Sequence, residues 1–253
     1  MKTSHPSLTE AERPHALRRA AAEFLGTGLL VTVVVGSGIA AQRLSPDDVG
    51  LQLLENSLTT ALGLTVLILM LGPVSGAHFN PVVTVADWLL GRSIGTGLPL
   101  RDVAPYVLAQ IFGGIAGTLL AGVMFDTGPA FSSNDRVTGG HLVGEVVATA
   151  GLVLLIFALA RTGKGSATAA AVGAYIGAAY WFTSSTSFAN PAVTIARMFT
   201  DTFAGIAPSS VAPFIAAQLV GAAIGLALLL ALYPTAARTA GDVVVPQQLE
   251  TQP

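Results

Sequence analysis

Gly76-Ala77-His78-Phe79-Asn80-Pro81-Val82-Val83-Thr84-Val85-Ala86, GAHFNPVVTVA, closes a long apolar run yet contains a histidine, an asparagine and a proline. A related stretch, SFANPAVTIA from Ser187 to Ala196, places Asn190 110 residues after Asn80. Proline fits the first turn of a helix, where its missing N–H would have no partner. Each stretch therefore predicts a helix starting at its proline, at a depth where the flanking chain is apolar. Broken backbone is tolerated there only if it lines a watery cavity or is buried in protein.

The surroundings set the class. Of 253 residues, 52% are hydrophobic and 10% charged, and the mean hydropathy is +0.69. Soluble domains carry about 25% charged residues, and a membrane-spanning helix needs about twenty apolar residues. Such runs recur here, so the chain is predicted to be a polytopic, all-α membrane protein. The absence of cysteine excludes disulfides and thiolate metal sites. No basic block points to nucleic acid. Arg18 and Arg19 precede an apolar run ending in small residues, as in a signal peptide, but its length and the later runs favour a first span.

Apolar segments at about 17–42, 51–71, 103–125, 140–159, 166–183 and 211–233 predict six spans. The two Asn-Pro stretches open segments to about 90 and 200 that are too short to cross. Residues 1–16 and 236–253 are polar tails, and 17–235 is the membrane domain between them. With both termini inside, Lys2, Arg13, Arg18, Arg19, Arg92, Arg101, Arg161, Lys164 and Arg238 are cytoplasmic, nine of the twelve basic residues. Arg43, Arg136 and Arg197 remain outside.

The halves, about 17–125 and 139–235, repeat. Asn80-Pro81-Val82-Val83-Thr84-Val85-Ala86 matches Asn190-Pro191-Ala192-Val193-Thr194-Ile195-Ala196. Gln110, Gly113 and Gly117 match Gln218, Gly221 and Gly225, each displaced by 108, and Ala22-Glu23 matches Gly144-Glu145. Three spans per half invert the second copy, as in many transport folds. The two Asn-Pro ends then meet near the midplane from opposite sides. Each helix N-terminus carries about half a positive charge, so the meeting point opposes cations, while the amides of Asn80 and Asn190 can donate to a passing solute oxygen.

Ala22-Glu23-Phe24-Leu25-Gly26-Thr27, Ser75 to Pro81, Ala109-Gln110, Gly144-Glu145 and Asn190-Pro191-Ala192 together resemble the aquaporin/glycerol-facilitator (major intrinsic protein) family. The resemblance covers about 17–235. It implies six transmembrane helices plus two re-entrant half-helices in an inverted 3+3 repeat. It also implies a passive channel with no cofactor, one pore per subunit, homotetrameric assembly and a plasma-membrane location. The implied pore centre is Asn80, Pro81, Val82, Asn190, Pro191 and Ala192.

Two departures stand out. Val82 occupies the third place of the first box, where the family usually has alanine. Val193 follows the second box, where the family's water and glycerol channels place an arginine, and Arg197 lies four residues on. Counting from the two asparagines, the resemblance implies a filter of Thr60, Ala178, Ser187 and Val193, with Gly177 or Ala179 as alternatives to Ala178. Such a ring carries no charge and no aromatic group, and is wider than either standard filter. Arginine-less filters resemble those of metalloid-transporting members. The expected solutes are thus neutral polyhydroxylated molecules, with arsenite, antimonite and methylated arsenicals foremost, glycerol-like polyols and some water. A methyl group would suit the apolar surface of Val193 and Ala178. A water-selective or general glycerol channel is the alternative.

Other residues fit this frame. Glu23 and Glu145, ionisable groups within spans, are expected to accept backbone N–H groups of the re-entrant loops, with His78 packed beside the first box. Arg197 is expected to pair with Asp201. Trp88, Trp181, Tyr106 and Tyr233 are expected as interfacial anchors. No nucleophile–base set, metal cluster or phosphate loop supports an enzyme. An ion-coupled transporter would want carboxylates at the Asn-Pro boxes, which hold none, and a closed junction protein fits small filter residues poorly.

Overall fold

The computed structural model describes residues 15–92 and 96–234. The expected tails lie outside them apart from residues 15 and 16, and so do Lys2, Arg13 and Arg238. Among the described residues the chain forms helices and loops without a strand. The helices are α1 Ala16–Leu44, α2 Val49–Ser75, α3 Pro81–Gly91, α4 Leu100–Met124, α5 Gly139–Arg161, α6 Thr168–Phe182, α7 Pro191–Ala196 and α8 Pro208–Leu232. A 3₁₀ turn, Gly165–Ala167, precedes α6, and another, Arg197–Phe199, follows α7.

Five helices, α1, α2, α4, α5 and α8, are individually long and apolar enough to cross a bilayer. The sixth span, α6, has 15 helical residues and gains length from the 3₁₀ turn before it. The 11 residues of α3 and the 6 of α7 are half-helices, since at about 1.5 Å per residue neither approaches the roughly 30 Å of hydrocarbon. The order α1–α2–α3–α4 repeats as α5–α6–α7–α8. The architecture is the six-span, two-half-helix bundle that the repeat predicts.

Glycine sets how closely the bundle packs. A Cβ built on Gly113 of α4 would lie 2.2 Å from the Phe24 carbonyl oxygen of α1, and one on Gly117 2.0 Å from that of Gly28. In the second half, Gly221 and Gly225 of α8 would meet the carbonyls of Val146 and Ala150 on α5 at 2.5 and 2.6 Å. The small-residue spacing thus joins α1 to α4 and α5 to α8 inside the subunit, where it permits close backbone approach. The outward faces carry leucine and phenylalanine, such as Leu58 and Phe112, which suit hydrocarbon.

Candidate functional site

The chain reaches each Asn-Pro box through left-handed backbone. Ala77 and Phe79 have φ of 49° and 47°, and Ser187 and Ala189 have 52° and 46°. Non-glycine residues avoid this region unless their surroundings hold them there. Two buried carboxylates do the holding. Glu23 accepts the N–H groups of His78 (3.0 Å) and Phe79 (2.7 Å), the Ser75 hydroxyl (2.6 Å) and the Gln110 amide (2.7 Å). Glu145 accepts the N–H groups of Phe188 (2.9 Å) and Ala189 (2.8 Å) and the Gln218 amide (2.7 Å). Each glutamine also donates to a threonine of its half-helix, Gln110 to Thr84 and Gln218 to Thr194, both at 2.8 Å. The two halves thus build their loops with equivalent bonds.

The asparagines cap the half-helices and lock the boxes together. Asn80 Oδ1 accepts the Val82 N–H at 3.1 Å; Asn190 Oδ1 accepts those of Ala192 and Val193 at 3.0 and 3.3 Å. Side-chain capping of this kind occupies orphan donors at a helix start. Asn80 Nδ2 then donates across to the Ala189 carbonyl (2.8 Å), and Asn190 Nδ2 to that of Phe79 (2.7 Å). One amide hydrogen of each asparagine is therefore fixed between the boxes. The second has no acceptor among the described residues, and both side chains border a cavity.

That cavity, of about 60 Å³, lies between the two repeats. Asn80, Asn190, Thr60, Ser187, Val193 and His78 line it. Val82, Pro81, Pro191 and Ala192 are buried beside it rather than on it, and Val82 packs into the hydrophobic core. Glu23 and Glu145 stay behind the loops they brace. His78 Nδ1 lies 3.2 Å from the Thr84 hydroxyl, and its ring meets Tyr106 edge-on at 5.5 Å.

Several placements differ from expectation. Ala178 is exposed on the outer face of α6, and neither it nor Gly177 or Ala179 lines the cavity; Ile176 and Tyr180 do. A helix turns about 100° per residue, so counting back across the intervening loop settles the helix but not the face. Tyr180 places its hydroxyl 3.2 Å from that of Thr60. The cavity wall therefore includes an aromatic group. Arg197 does not meet Asp201: its Nε donates to the Ala204 carbonyl at 2.5 Å, and its guanidinium lies 3.6 Å from the centre of the Phe188 ring. Both Arg197 and Phe188 border the cavity. Tyr106 is buried and donates to the Ser75 carbonyl at 2.9 Å instead of anchoring at an interface.

Loop carboxylates fasten the segment between α4 and α5 over α7. Asp201 accepts the Ser133 N–H and hydroxyl, both at 2.9 Å; Asp135 accepts the Val137 N–H at 3.0 Å and the Ser210 hydroxyl at 2.7 Å. These bonds, the backbone N–H first in each case, hold both carboxyls below the ordinary aspartate value. A depressed folded-state pKa contributes stability that is complete above the unfolded value and is lost as pH falls through the folded one. Amide exchange at Ser133 and Val137, corrected for intrinsic rate, is thus expected to stay protected down to about pH 4 and to weaken below it. Weakening already at about pH 6 would contradict this.

A major intrinsic protein family profile matches residues 10–187. The chain belongs to the major intrinsic protein family. It is 52% identical over 213 residues to aquaglyceroporin AqpS of Rhizobium meliloti (strain 1021), covering 84% of this chain and 88% of that one. It is 34% identical over 180 residues to aquaporin TIP1-1 of Arabidopsis thaliana, covering 67% and 69%. The aquaglyceroporin of Plasmodium falciparum, known from an X-ray structure, shares the fold with a TM-score of 0.62 at 20% identity, over 87% of this chain and 96% of that one. Major intrinsic proteins of this kind are multi-pass membrane channels and not enzymes.

In this family member, Asn80, Asn190, Thr60, Ser187, Val193 and His78 of the expected site border the cavity, and Glu23 and Glu145 stand behind the loops. Tyr180, Phe188 and Arg197 border the cavity as well, without a motif in the sequence that marks them. The offset of 110 that pairs Asn80 with Asn190 also pairs Thr84 with Thr194, since both repeats keep threonine four residues after the asparagine.

Proposed function

We propose that the chain is a passive channel for small neutral solutes, with glycerol-like polyols and trivalent metalloid hydroxides, methylated ones included, as its preferred cargo and water passing as well. The observation that carries this reading is Val193 on the cavity wall. An aliphatic group there, with the hydroxyls of Thr60 and Ser187 nearby, offers width and donors to an uncharged trihydroxide. The aquaglyceroporin names of AqpS and of the Plasmodium falciparum protein agree with it, whereas the plant relative is named an aquaporin. The same reading takes the working unit as a homotetramer in the plasma membrane, with both termini cytoplasmic. It takes Asn80 and Asn190 as the pore centre and Thr60, Ser187 and Val193, with Tyr180 replacing Ala178, as the filter.

An ion-coupled transporter is disfavoured because no carboxylate lies among the described residues on the cavity; Glu23 and Glu145 are occupied by loop N–H groups. Purified protein in liposomes tests the reading. Glycerol and arsenite uptake should follow the solute gradient linearly and ignore a proton gradient; uptake driven or abolished by the proton gradient would overturn it. Thr60→Trp fills the cavity and takes away the partner of the Tyr180 hydroxyl. It should cut glycerol uptake several-fold more than water uptake, and an unchanged glycerol rate would remove Thr60 from the pore.

A further inference from the structure

We infer that Arg197 is the charge-selecting residue of this pore: its guanidinium, supplied one helical turn beyond the second Asn-Pro box, excludes cations and donates to solute oxygens at the mouth. This rests on the channel reading above. Among the described residues on the cavity, Arg197 is the arginine present, and it is only 3% exposed. Its Nε is occupied by the Ala204 carbonyl, and its plane lies against Phe188, which in turn meets Phe214 edge-on at 5.3 Å. No hydrogen bond from its two terminal nitrogens to a described residue exists, so one edge of the guanidinium is fixed while the other keeps its donors.

The nearby Arg136 differs. It spends Nε on the Gly205 carbonyl (2.7 Å) and Nη2 on that of Phe203 (2.9 Å), and does not line the cavity. A second polar group faces the same space: the Ser187 hydroxyl is buried and has no partner. A loop brace would be expected to use its terminal nitrogens, as Arg136 does. A fixed charge with free donors on a pore wall instead repels cations and hydrogen-bonds neutral oxygens. Displacement of the charge by four residues leaves the wall at Val193 aliphatic. The pore can then be wide for neutral solutes without becoming a cation leak.

Urea and the guanidinium ion, near-isosteres differing in charge, provide the test in liposomes containing the full chain. Wild type should pass urea and exclude guanidinium. Arg197→Gln should raise the ratio of guanidinium to urea permeability at least about ten-fold, as loss of an electrostatic barrier requires. Arg197→Lys covers the case in which the glutamine variant does not fold. It should exclude guanidinium while its amine is charged and lose exclusion as rising pH deprotonates it, whereas the wild type stays closed to it. A folded Gln variant that still excludes guanidinium, or a Lys variant with no pH dependence, overturns the inference alone. If wild type passes neither urea nor glycerol, the channel reading falls and takes the inference with it.

Discussion

Val193→Arg is expected to reduce glycerol and arsenite uptake by at least about ten-fold while water uptake stays within about two-fold. Val193 is 5% exposed and shares the cavity wall with Thr60 and Ser187. An arginine there projects a long, charged side chain across the space that a trihydroxylated solute must occupy, whereas a single water needs much less room. Arg197 borders the same cavity, so the two guanidiniums would repel each other. That repulsion pushes the new side chain toward the lumen and not along the wall. Separation of solute from water by pore diameter and by the groups lining it follows the general logic of selective pores. Light-scattering uptake in vesicles measures both rates, and glycerol flux equal to wild type would place Val193 outside the constriction.

Glu145→Ala is expected to damage the fold severely. The carboxylate is fully buried and accepts the N–H groups of Phe188 and Ala189 as well as the Gln218 amide. Its removal leaves those donors unpaired, and each buried unsatisfied group costs about 1–3 kcal/mol. The N–H of Ala189 belongs to a residue held at φ 46°, so losing its acceptor also releases the backbone that presents the Ala189 carbonyl to Asn80. A loss of roughly 3–6 kcal/mol corresponds to a fall of roughly 10 °C or more in the thermal midpoint. Glu145→Gln, which keeps one carbonyl oxygen, should lose less. Wild-type thermal stability and flux in the alanine variant would contradict the bracing role.

Much of this arrangement was legible beforehand. Apolar run lengths identified the spans, and the two Asn-Pro boxes identified the half-helices, because proline position and hydropathy are local properties. The offset shared by Gln110, Gly113 and Gly117 with their partners identified the repeat, and the inversion followed from counting three spans. The bracing glutamates were legible because a carboxylate within a span needs donors and an irregular loop at the same depth supplies them.

What failed depended on helix rotation and on side chains crossing between elements. Tyr180, not Ala178, faces the cavity because a one- or two-residue error in register turns a helix through a third to a half of its circumference. Arg197 was expected beside Asp201 because opposite charges four residues apart favour pairing on a regular helix. The chain leaves α-helical geometry at that point: Arg197–Phe199 is a 3₁₀ turn, which redirects the arginine toward Phe188 and Ala204. Asp201 instead fastens Ser133. Hydropathy and spacing carry no information on such a change of backbone.

Side-by-side uptake of arsenite, methylarsenite, glycerol and water by one preparation of vesicles bears most directly on what the pore passes. An aliphatic Val193 wall with the hydroxyls of Thr60, Tyr180 and Ser187 predicts that all four enter down their gradients, with methylarsenite at least as fast as arsenite. Rapid water entry with glycerol and both arsenicals excluded would contradict it.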